Sequence, residues 1–375
     1  MPTDLKTRHA GRRVKIGFVT LSSAAHALPS TRIAVLNMLP LLRQHGFEAE
    51  IVYAPPVPTE TPALPVDLLN GIVSQGCDIV VFQKMHGPSV LALASALEAR
   101  GVRTVYQVCD LVDASMAEAT SATFVVTDFL RSLYPRELQP RIHVVHDGIE
   151  QPQLARLERA AAGSANAPLH AVLVTSAELT HLPVIGNPPP WLRVTIVARY
   201  PPRSDRVARL RTSRWALARQ PGWSGKLDYL RFVTHPRVAR EAWDAEGVYR
   251  HLLAADVGII PVETTQDDDD GSPSMQVPAW KVKSENRLTL KMALGLPIVA
   301  TPIPAYLPIV EQGVNGFLAR TRDEWLDCLQ QLRDPARRRE IGAAARTSVI
   351  SRYSQEEQAC KMAQLFDALA TVRTC

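Results

Sequence analysis

The stretch over residues 283–319, KSENRLTLKMALGLPIVATPIPAYLPIVEQGVNGFLA, constrains the fold most strongly, because it predicts a helix that leads into a short buried strand. Ser284 is a favourable N-cap, and Gly295 stands where a helix C-cap requires a positive φ angle. Pro297 blocks continuation of the helix, and the apolar run 298–300 is typical of a parallel strand buried on both faces. The loop after such a strand lies at the edge where open α/β sheets bind ligands.

Short apolar runs alternate with helical patterns along the rest of the chain as well. The first 145 residues contain several such pairs, beginning with a strand over 14–21, and a second series begins near residue 171. This alternation predicts doubly wound parallel sheets, an α/β fold class. A chain of 375 residues is long enough for two domains.

We expect a Rossmann-like N-terminal domain over residues 1–165 and a second Rossmann-like domain over 166–350. The last segment, 351–375, is predicted to be a helix that packs back on the N-terminal domain. Residues 151–168, which include the small residues of 160–167, are interpreted as the linker. The chain has no G-x-G-x-x-G motif after its first strand, so a dinucleotide cofactor is disfavoured, and we expect no cofactor.

Three local predictions are specific enough to be tested. Pro40 lies inside the helical pattern of residues 31–44 and predicts a kink or an early end of that helix. The pattern over 204–219 predicts a basic helix, and residues 229–233 are interpreted as a strand.

Composition and charge narrow the kind of protein. Five widely spaced cysteines favour reduced thiols over a disulfide framework or a zinc site. No apolar run approaches the ~20 residues that span a bilayer, and the polar N-terminus is unlike a secretory signal, so we expect a cytoplasmic protein. The four carboxylates of 267–270 are interpreted as a solvated loop, and no metal is expected.

The net charge of +5 comes mainly from residues 193–240, which hold twelve basic side chains against Asp205 and Asp228. One interpretation is a solvated helix face. The alternative is attraction of a phosphate-rich ligand or of an anionic membrane surface, with at most weak peripheral contact. No recognition motif supports nucleic acid as a partner.

Residues of the 283–319 stretch match a family pattern of roughly K-S-x-N-[KR]-L, then M-A-L-G-x-P-[IV]-V-A-T, then G-x-N-G-F-L. The matching residues are Lys283, Ser284, Asn286, Arg287, Leu288, Met292 through Gly295, Pro297 through Thr301, Gly313 and Asn315 through Leu318. In order and spacing they resemble the donor-site region of the family-4-type glycosyltransferases, the glycosyl transferases group 1.

The resemblance implies the GT-B fold, in which two Rossmann-like domains face each other across a cleft and a C-terminal helix crosses back. It also implies transfer of a sugar from a nucleotide-sugar to an acceptor, without a metal and with retention of anomeric configuration. The acceptor could be a sugar, a lipid-linked molecule or a small molecule. The resemblance is specific over about residues 246–350.

Two family glutamates are missing from the pattern. Their positions correspond to Val282 and Leu290, and the second glutamate typically binds hydroxyls of the nucleotide-sugar. The family loop that often reads G-G-x-x-E after the predicted strand is also replaced here, by residues 304–308. These losses motivate a second hypothesis, a non-catalytic GT-B-like protein that binds a partner or polymer. A sugar-nucleotide epimerase or hydrolase on the same fold is a third.

Several polar residues follow predicted strands and so fall on the ligand-binding edge. His86 and Asp110 are the candidate catalytic residues, because each could accept a proton from a sugar hydroxyl, and the histidine could instead stabilise leaving-group charge. Arg32, in the first turn of a helix, could hold phosphate together with backbone amides. For each of these the alternative is an ordinary loop residue or helix cap.

Donor binding is assigned to the start of the 283–319 helix and to the end of the strand that follows it. The residues are Lys283, Ser284, Asn286, Arg287 and Thr301. Cations and free amides at a helix N-terminus suit a diphosphate whose negative charge grows as the glycosidic bond breaks. The alternative is that these side chains only cap the helix or are solvated.

Overall fold

The computed structural model describes residues 12–155, 167–264 and 277–371. The chain forms two compact units. In the described part of the chain, unit one comprises 12–150, 277–285 and 353–371, and unit two comprises 151–155, 167–264 and 286–352. The predicted solvated loop of Asp267 to Asp270 and most of the predicted linker lie outside the described residues.

Unit one contains a six-stranded sheet whose neighbours are all parallel, in the order β2-β1-β3-β4-β5-β6. Its strands are β1 (Lys15–Thr20), β2 (Glu48–Tyr53), β3 (Ile79–Gln83), β4 (Arg103–Val108), β5 (Ala122–Val125) and β6 (Ile142–Val144). Because β2 and β3 flank β1 on opposite sides, the strand order reverses at β1 and β3. Ligands bind at the carboxyl ends of the strands at such a switch point.

Helices cover the sheet of unit one. They are α1 (Pro29–Thr31), α2 (Met38–Gln44), α3 (Leu68–Ser74), α4 (Pro88–Ala99), α5 (Ala114–Ala119) and α6 (Asp128–Ser132). Asp113 caps α5 by accepting a hydrogen bond from the Met116 amide, and Thr127 caps α6 in the same way from Leu130.

The helix predicted over residues 31–44 is interrupted, although not at Pro40 itself. One turn of π-helix, Arg32–Leu36, lies between α1 and α2, and the Asn37 amide donates to the Arg32 carbonyl five residues back. In a regular helix, a proline at position 40 would clash with the carbonyl of Leu36, four residues earlier. The wide π-helical turn ends at Leu36. The predicted irregularity is therefore present one turn earlier than expected.

The last helix, α13 (Gln355–Thr371), belongs to unit one and packs against α2. Its buried side includes Ala359, Met362, Ala363 and Phe366. The Phe366 ring meets the edges of two other rings, with centroid distances of 5.8 Å to Phe124 and 6.0 Å to Phe47. This helix completes the core of unit one, so it contributes to folding.

Unit two also contains a parallel six-stranded sheet, in the order β9-β8-β7-β10-β11-β12. Its strands are β7 (Leu169–Val174), β8 (Leu192–Ala198), β9 (Val238–Ala242), β10 (Val257–Ile260), β11 (Ile298–Ala300) and β12 (Phe317–Leu318). Counted from β7 this is the 3-2-1-4-5-6 order of dinucleotide-binding folds, and its switch point lies between β7 and β10.

The helices of unit two are α7 (Arg206–Ala218), α8 (Gly222–Thr234), α9 (Gly247–Ala254), α10 (Asn286–Ala293), α11 (Arg322–Gln331) and α12 (Pro335–Val349). The basic helix predicted over 204–219 is confirmed as α7. The strand predicted over 229–233 is wrong, because these residues lie in α8. Strand β9 was not predicted. It forms a sheet edge and carries Arg240 and Glu241, so it lacks the apolar run of a central strand.

The helix–turn–strand prediction for the 283–319 stretch is confirmed from residue 286 onward. Helix α10 ends before Gly295, whose φ angle is 77°, and β11 follows. Gly342 of α12 packs on this turn so closely that a Cβ there would lie 2.3 Å from the Gly295 carbonyl oxygen. No helix among the described residues is both long and apolar enough to cross a membrane.

Candidate functional site

A cationic side chain lies at the switch point of the unit-two sheet. Arg287, in the first turn of α10, donates from Nη2 to the Ser176 hydroxyl at 3.4 Å. Ser176 follows β7, so the contact connects the α10 N-terminus with the carboxyl edge of the sheet. A guanidinium at the N-terminus of a helix, where the helix dipole is positive, favours an anion there.

A carboxylate lies at the same edge. Glu263, after β10, is 2.6 Å from His181 Nε2, and His181 lies in the segment after β7. The Glu263 side chain is 38% exposed, so it remains accessible to a ligand. The hydroxyl of Thr301, after β11, accepts a hydrogen bond from the Val262 amide at 2.9 Å. This contact fixes the backbone next to Glu263. Thr301, which the sequence assigns to sugar-donor binding, thus holds the backbone in place at this edge of the sheet.

Asn286 begins α10, and its carbonyl accepts a hydrogen bond from the Thr289 hydroxyl at 3.3 Å. One turn further on, Lys291 is almost completely buried, and its ammonium donates to the Arg287 carbonyl at 3.1 Å. Burial, and then the positive charge of Arg287, lower the pKa of Lys291 to about 7. Lys291 therefore contacts the backbone of Arg287 from the buried side of α10, and it loses its charge near neutral pH.

Unit one also gathers charged residues at the carboxyl ends of its strands. Lys84, directly after β3, is 2.9 Å from Asp110 Oδ1 and 2.8 Å from Glu60 Oε1. Its φ of 56° is in the left-handed region, which costs a residue with a side chain roughly 1 kcal/mol. The surrounding structure holds that conformation, and it places the ammonium between the two carboxylates.

His86, the other candidate catalytic residue, lies beside the second carboxylate oxygen of Glu60. His86 Nε2 is 3.9 Å from Glu60 Oε2, and His86 Nδ1 is 3.7 Å from Asp113 Oδ2. His86 and then Lys84 lower the pKa of Glu60 to about 2, so Glu60 carries its charge at neutral pH. The structure thus brings His86 and Asp110 into one charged cluster, connected through Glu60 and Lys84.

Arg32 is held by a carboxylate. Its Nη1 forms an ion pair with Glu150 Oε1, which also accepts from Asn37 Nδ2 at 2.9 Å. The neighbouring Thr31 hydroxyl is buried and donates to Gln83 Oε1 at 3.0 Å. The predicted phosphate-binding arginine therefore already has an anionic partner within unit one.

Two acidic residues of unit one, Asp147 and Glu285, lie beside Ser284 in space or in sequence. Asp147, in the turn after β6, hydrogen-bonds with Ser284, and its amide donates to Glu285 Oε1 at 3.3 Å. Glu285 is buried and also lies 3.1 Å from His146 Nδ1. Burial, followed by the charge of Glu285, raises the pKa of Asp147.

The predicted site residues fall into separate groups. His86 and Asp110 share one cluster in unit one, whereas Arg32 pairs with Glu150. Lys283 and Ser284 belong to unit one, and Ser284 contacts Asp147. In unit two the predicted residues are Asn286, Arg287 and Thr301, with Arg287 and Thr301 contacting opposite sides of the switch point.

Sequence reasoning missed several residues at these places, including Glu60, Ser176, Glu263 and Glu285. Glu285 fills the variable position of the K-S-x-N pattern, so its acidic character was a usable signal. Glu60 lies in a proline-rich loop, and its partners Lys84 and His86 come only after the next strand, so no local pattern marks it.

The two positions that correspond to the missing glutamates serve packing. Val282 is 2% exposed and belongs to the core of unit one. Leu290 packs against a buried cluster of unit two that includes Leu252 and Leu294. Neither position is available for binding hydroxyls.

No protein-family model matches the sequence, and no curated protein is similar to it. Solved structures are similar over almost the whole chain. Sucrose-phosphate synthase from Thermosynechococcus elongatus has a TM-score of 0.65 at 14% identity, covering 96% of this chain and 100% of that one. A glycosyltransferase from Rickettsia africae has a TM-score of 0.63 at 12% identity, covering 96% and 99%.

HepE from Anabaena, crystallised with UDP-glucose, has a TM-score of 0.60 at 14% identity, covering 95% of this chain and 100% of that one. At such low identity the similarity shows the fold. Two parallel six-stranded sheets with flanking helices agree with it. The chain therefore has the GT-B fold of glycosyltransferases.

Proposed function

We propose that the protein is a glycosyltransferase that moves a sugar from a nucleotide-sugar donor to an acceptor hydroxyl. The observation that carries this proposal is the contact between Arg287 and Ser176 at the switch point of the unit-two sheet. HepE, which has the same fold, was crystallised with UDP and with UDP-glucose, which supports a nucleotide-sugar as the ligand.

In this proposal unit two binds the donor. Arg287 and the positive dipole at the N-terminus of α10 stabilise the diphosphate, and Asn286 and Thr301 hold the local backbone. Glu263 is well suited to accept hydrogen bonds from ribose or sugar hydroxyls, which would replace the role of the missing glutamates. Lys283, Ser284 and Arg32 of unit one are proposed as further donor contacts.

The reaction breaks the bond between the anomeric carbon and the diphosphate oxygen and forms a bond from that carbon to the acceptor oxygen. Negative charge grows on the departing diphosphate, and Arg287 offsets it. The acceptor hydroxyl loses its proton, for which Asp110 or His86 of unit one is the proposed acceptor. We propose that no metal takes part, that configuration is retained, and that the reaction occurs in the cytoplasm.

A second candidate is a non-catalytic binding protein, and the packing of Val282 and Leu290 favours it because both positions have become apolar. Such a protein would bind a partner or polymer, but it would not turn a donor over.

Release of nucleoside diphosphate from a panel of UDP-, GDP- and dTDP-sugars, with and without candidate acceptors, separates the two. We expect release from one donor, together with a rise in melting temperature when the matching nucleoside diphosphate is added. The absence of both release and a melting shift contradicts the transferase and favours the non-catalytic binding protein, whereas melting shifts without release indicate a nucleotide site that does not turn over the tested donors.

A further inference from the structure

Two packed helices of unit two, α7 and α8, expose apolar side chains to solvent. We call this surface the α7–α8 face and define it by its six exposed apolar residues: Val207, Leu210, Trp215, Trp223, Leu227 and Leu230. Scattered single apolar residues are normal on protein surfaces, but a group of six on adjacent helices marks an interaction site.

The exposed residues of α8 follow a helical repeat. Trp223, Leu227 and Leu230 are spaced i, i+4 and i+7, so they form one stripe, and Trp223 is 82% exposed. Tyr229 and Phe232 point to the other side and are buried in the core of unit two. Because α8 is anchored by that second side, the exposed stripe is not needed to fold the unit.

The same helices carry a high positive charge. Residues 203–231 contain eight arginine and lysine side chains but only two acidic ones, Asp205 and Asp228. Asp205 caps α7 by accepting a hydrogen bond from the Ala208 amide at 2.8 Å, and Asp228 forms an ion pair with Arg231 at 3.1 Å. Four arginines of α7 and its end remain exposed: Arg206, Arg211, Arg214 and Arg219.

Cations accompany both tryptophans near the corner between the helices. The Arg219 guanidinium lies 4.4 Å from the Trp215 ring centroid, and the Lys226 ammonium lies 5.4 Å from that of Trp223. Tryptophan beside arginine or lysine is typical of helices that lie in a bilayer interface, where rings enter the headgroup layer and cations meet lipid phosphates.

We propose that the α7–α8 face docks on the surface of a lipid bilayer that contains anionic lipids. A polyanion such as nucleic acid or an anionic polysaccharide would satisfy the arginines but would give Trp223, Leu227 and Leu230 no apolar environment. A second copy of the chain would cover the leucines but bring like charges together. A bilayer satisfies both the apolar stripe and the positive charge.

This inference goes beyond the proposed function and does not depend on it. No residue of the α7–α8 face is among those named for donor binding or proton transfer. A chain that fails to release nucleoside diphosphate can still bind vesicles, so the two failures are distinguishable.

The test is co-sedimentation of the full chain with vesicles of phosphatidylcholine alone or mixed with phosphatidylglycerol, at low and high salt. We expect binding only to the anionic vesicles, weakened by salt, and a blue shift of tryptophan fluorescence that the Trp223→Phe variant reduces. Trp223→Ser combined with Leu227→Ser, and separately Arg211→Gln combined with Arg214→Gln, should each lower the partition coefficient about tenfold or more.

The controls carry tryptophan and arginine substitutions of the same kind elsewhere on the surface. Trp243→Ser replaces another exposed tryptophan of unit two, and Arg136→Gln with Arg339→Gln replaces two exposed arginines. Both should bind vesicles like the unaltered chain. Circular dichroism and melting temperature confirm that each variant is folded.

Three results would overturn the proposal. The first is no binding to anionic vesicles at low salt. The second is binding that depends on the arginines but is unchanged by the Trp223 and Leu227 substitutions, which would identify a polyanion surface. The third is a dimer in sedimentation velocity experiments that the apolar substitutions dissociate, which would identify an interface between copies.

Discussion

Arg287 Nη2 and the Ser176 hydroxyl meet at 3.4 Å, which places a guanidinium beside the carboxyl end of β7. If this arginine binds a diphosphate, Arg287→Ala should weaken binding of the matching nucleoside diphosphate about tenfold or more, since a charge-assisted hydrogen bond is lost. Arg287→Lys should recover part of the affinity, because a lysine keeps the charge but not the planar donor pair. Isothermal titration calorimetry measures both.

The control for this prediction is Arg250→Ala, which removes an exposed arginine of the same unit on α9. Its affinity should equal that of the unaltered chain. Equal affinities for Arg287→Ala and Arg250→Ala would exclude Arg287 from the nucleotide site.

Asp110 and His86 share a charged cluster with Lys84 and Glu60, which fits a proton-transfer role. Asp110→Asn should lower the turnover number about 100-fold or more if Asp110 is the acceptor-side base, with little change in nucleotide affinity. The turnover number of His86→Asn, measured in the same assay, tests the other candidate base. Asp67→Asn, an exposed residue of unit one, is the control. Full turnover in both Asp110→Asn and His86→Asn would remove this cluster from the chemistry.

Asp147 stands next to Glu285, and its pKa is raised by burial and by that charge. Between the ordinary pKa of aspartic acid and the raised value, the folded chain binds more protons than the unfolded one, so stability falls as pH rises. Asparagine imitates the protonated carboxyl and carries no charge. The free energy of unfolding of Asp147→Asn, relative to that of the unaltered chain, should therefore rise by about 1 kcal/mol or more between pH 5 and pH 8.

Urea unfolding at both pH values tests this prediction, with the exposed Asp327→Asn as the comparison variant. A constant loss of stability for Asp147→Asn at both pH values would mean that the carboxylate, and not the carboxylic acid, is required in the folded chain.

The sequence was sufficient for most of the architecture, because apolar strands of parallel sheets and amphipathic helices have distinct periods. Helix α8 was misassigned for a physical reason. Trp223 and Leu227 are apolar on its solvent side while Tyr229 and Phe232 are apolar on its core side, so no single face stands out.

The site was less predictable than the fold, because its contacts join distant parts of the chain. Glu285 lies 139 residues from His146, and Arg287 lies 111 residues from Ser176. A motif shows which residues cluster in sequence, such as Lys283 to Arg287, but not which partners they meet. The missing glutamates at Val282 and Leu290 were visible in the sequence, whereas the carboxylate of Glu263 at the edge of the unit-two sheet required the structure.

Gly342 and Gly71 provide a matched pair of helical glycines. A Cβ at Gly342 would meet the backbone oxygen of Gly295 at 2.3 Å, whereas a Cβ at Gly71 in α3 would meet nothing within 4 Å. Gly342→Ala should lower the free energy of unfolding by about 1–3 kcal/mol, since backbone must shift. Gly71→Ala should leave it unchanged or raise it by ~1 kcal/mol through helix propensity. Chemical unfolding measures both, and equal effects would contradict the close approach of α12 to the α10 turn.

Lys291 is buried against Gly258 of β10, where an added Cβ would lie 2.7 Å from the Lys291 Cδ. Its pKa of about 7 lies below the ordinary value of 10.5, so between these values the unfolded chain binds the extra proton and stability rises with pH. Lys291→Met removes the buried charge. It should raise the free energy of unfolding by about 2 kcal/mol or more at pH 7 and below, with the gain shrinking toward pH 10.

The glycine beneath Lys291 gives an independent check on this geometry. Gly258→Ala should destabilise the unaltered chain and be better tolerated when Lys291 is shortened to alanine, because the clash is with the lysine side chain. A double-mutant cycle measured by urea unfolding quantifies that coupling. If the two substitutions are additive, and Lys291→Met shows no pH-dependent gain, then the lysine side chain does not occupy the space between α10 and β10.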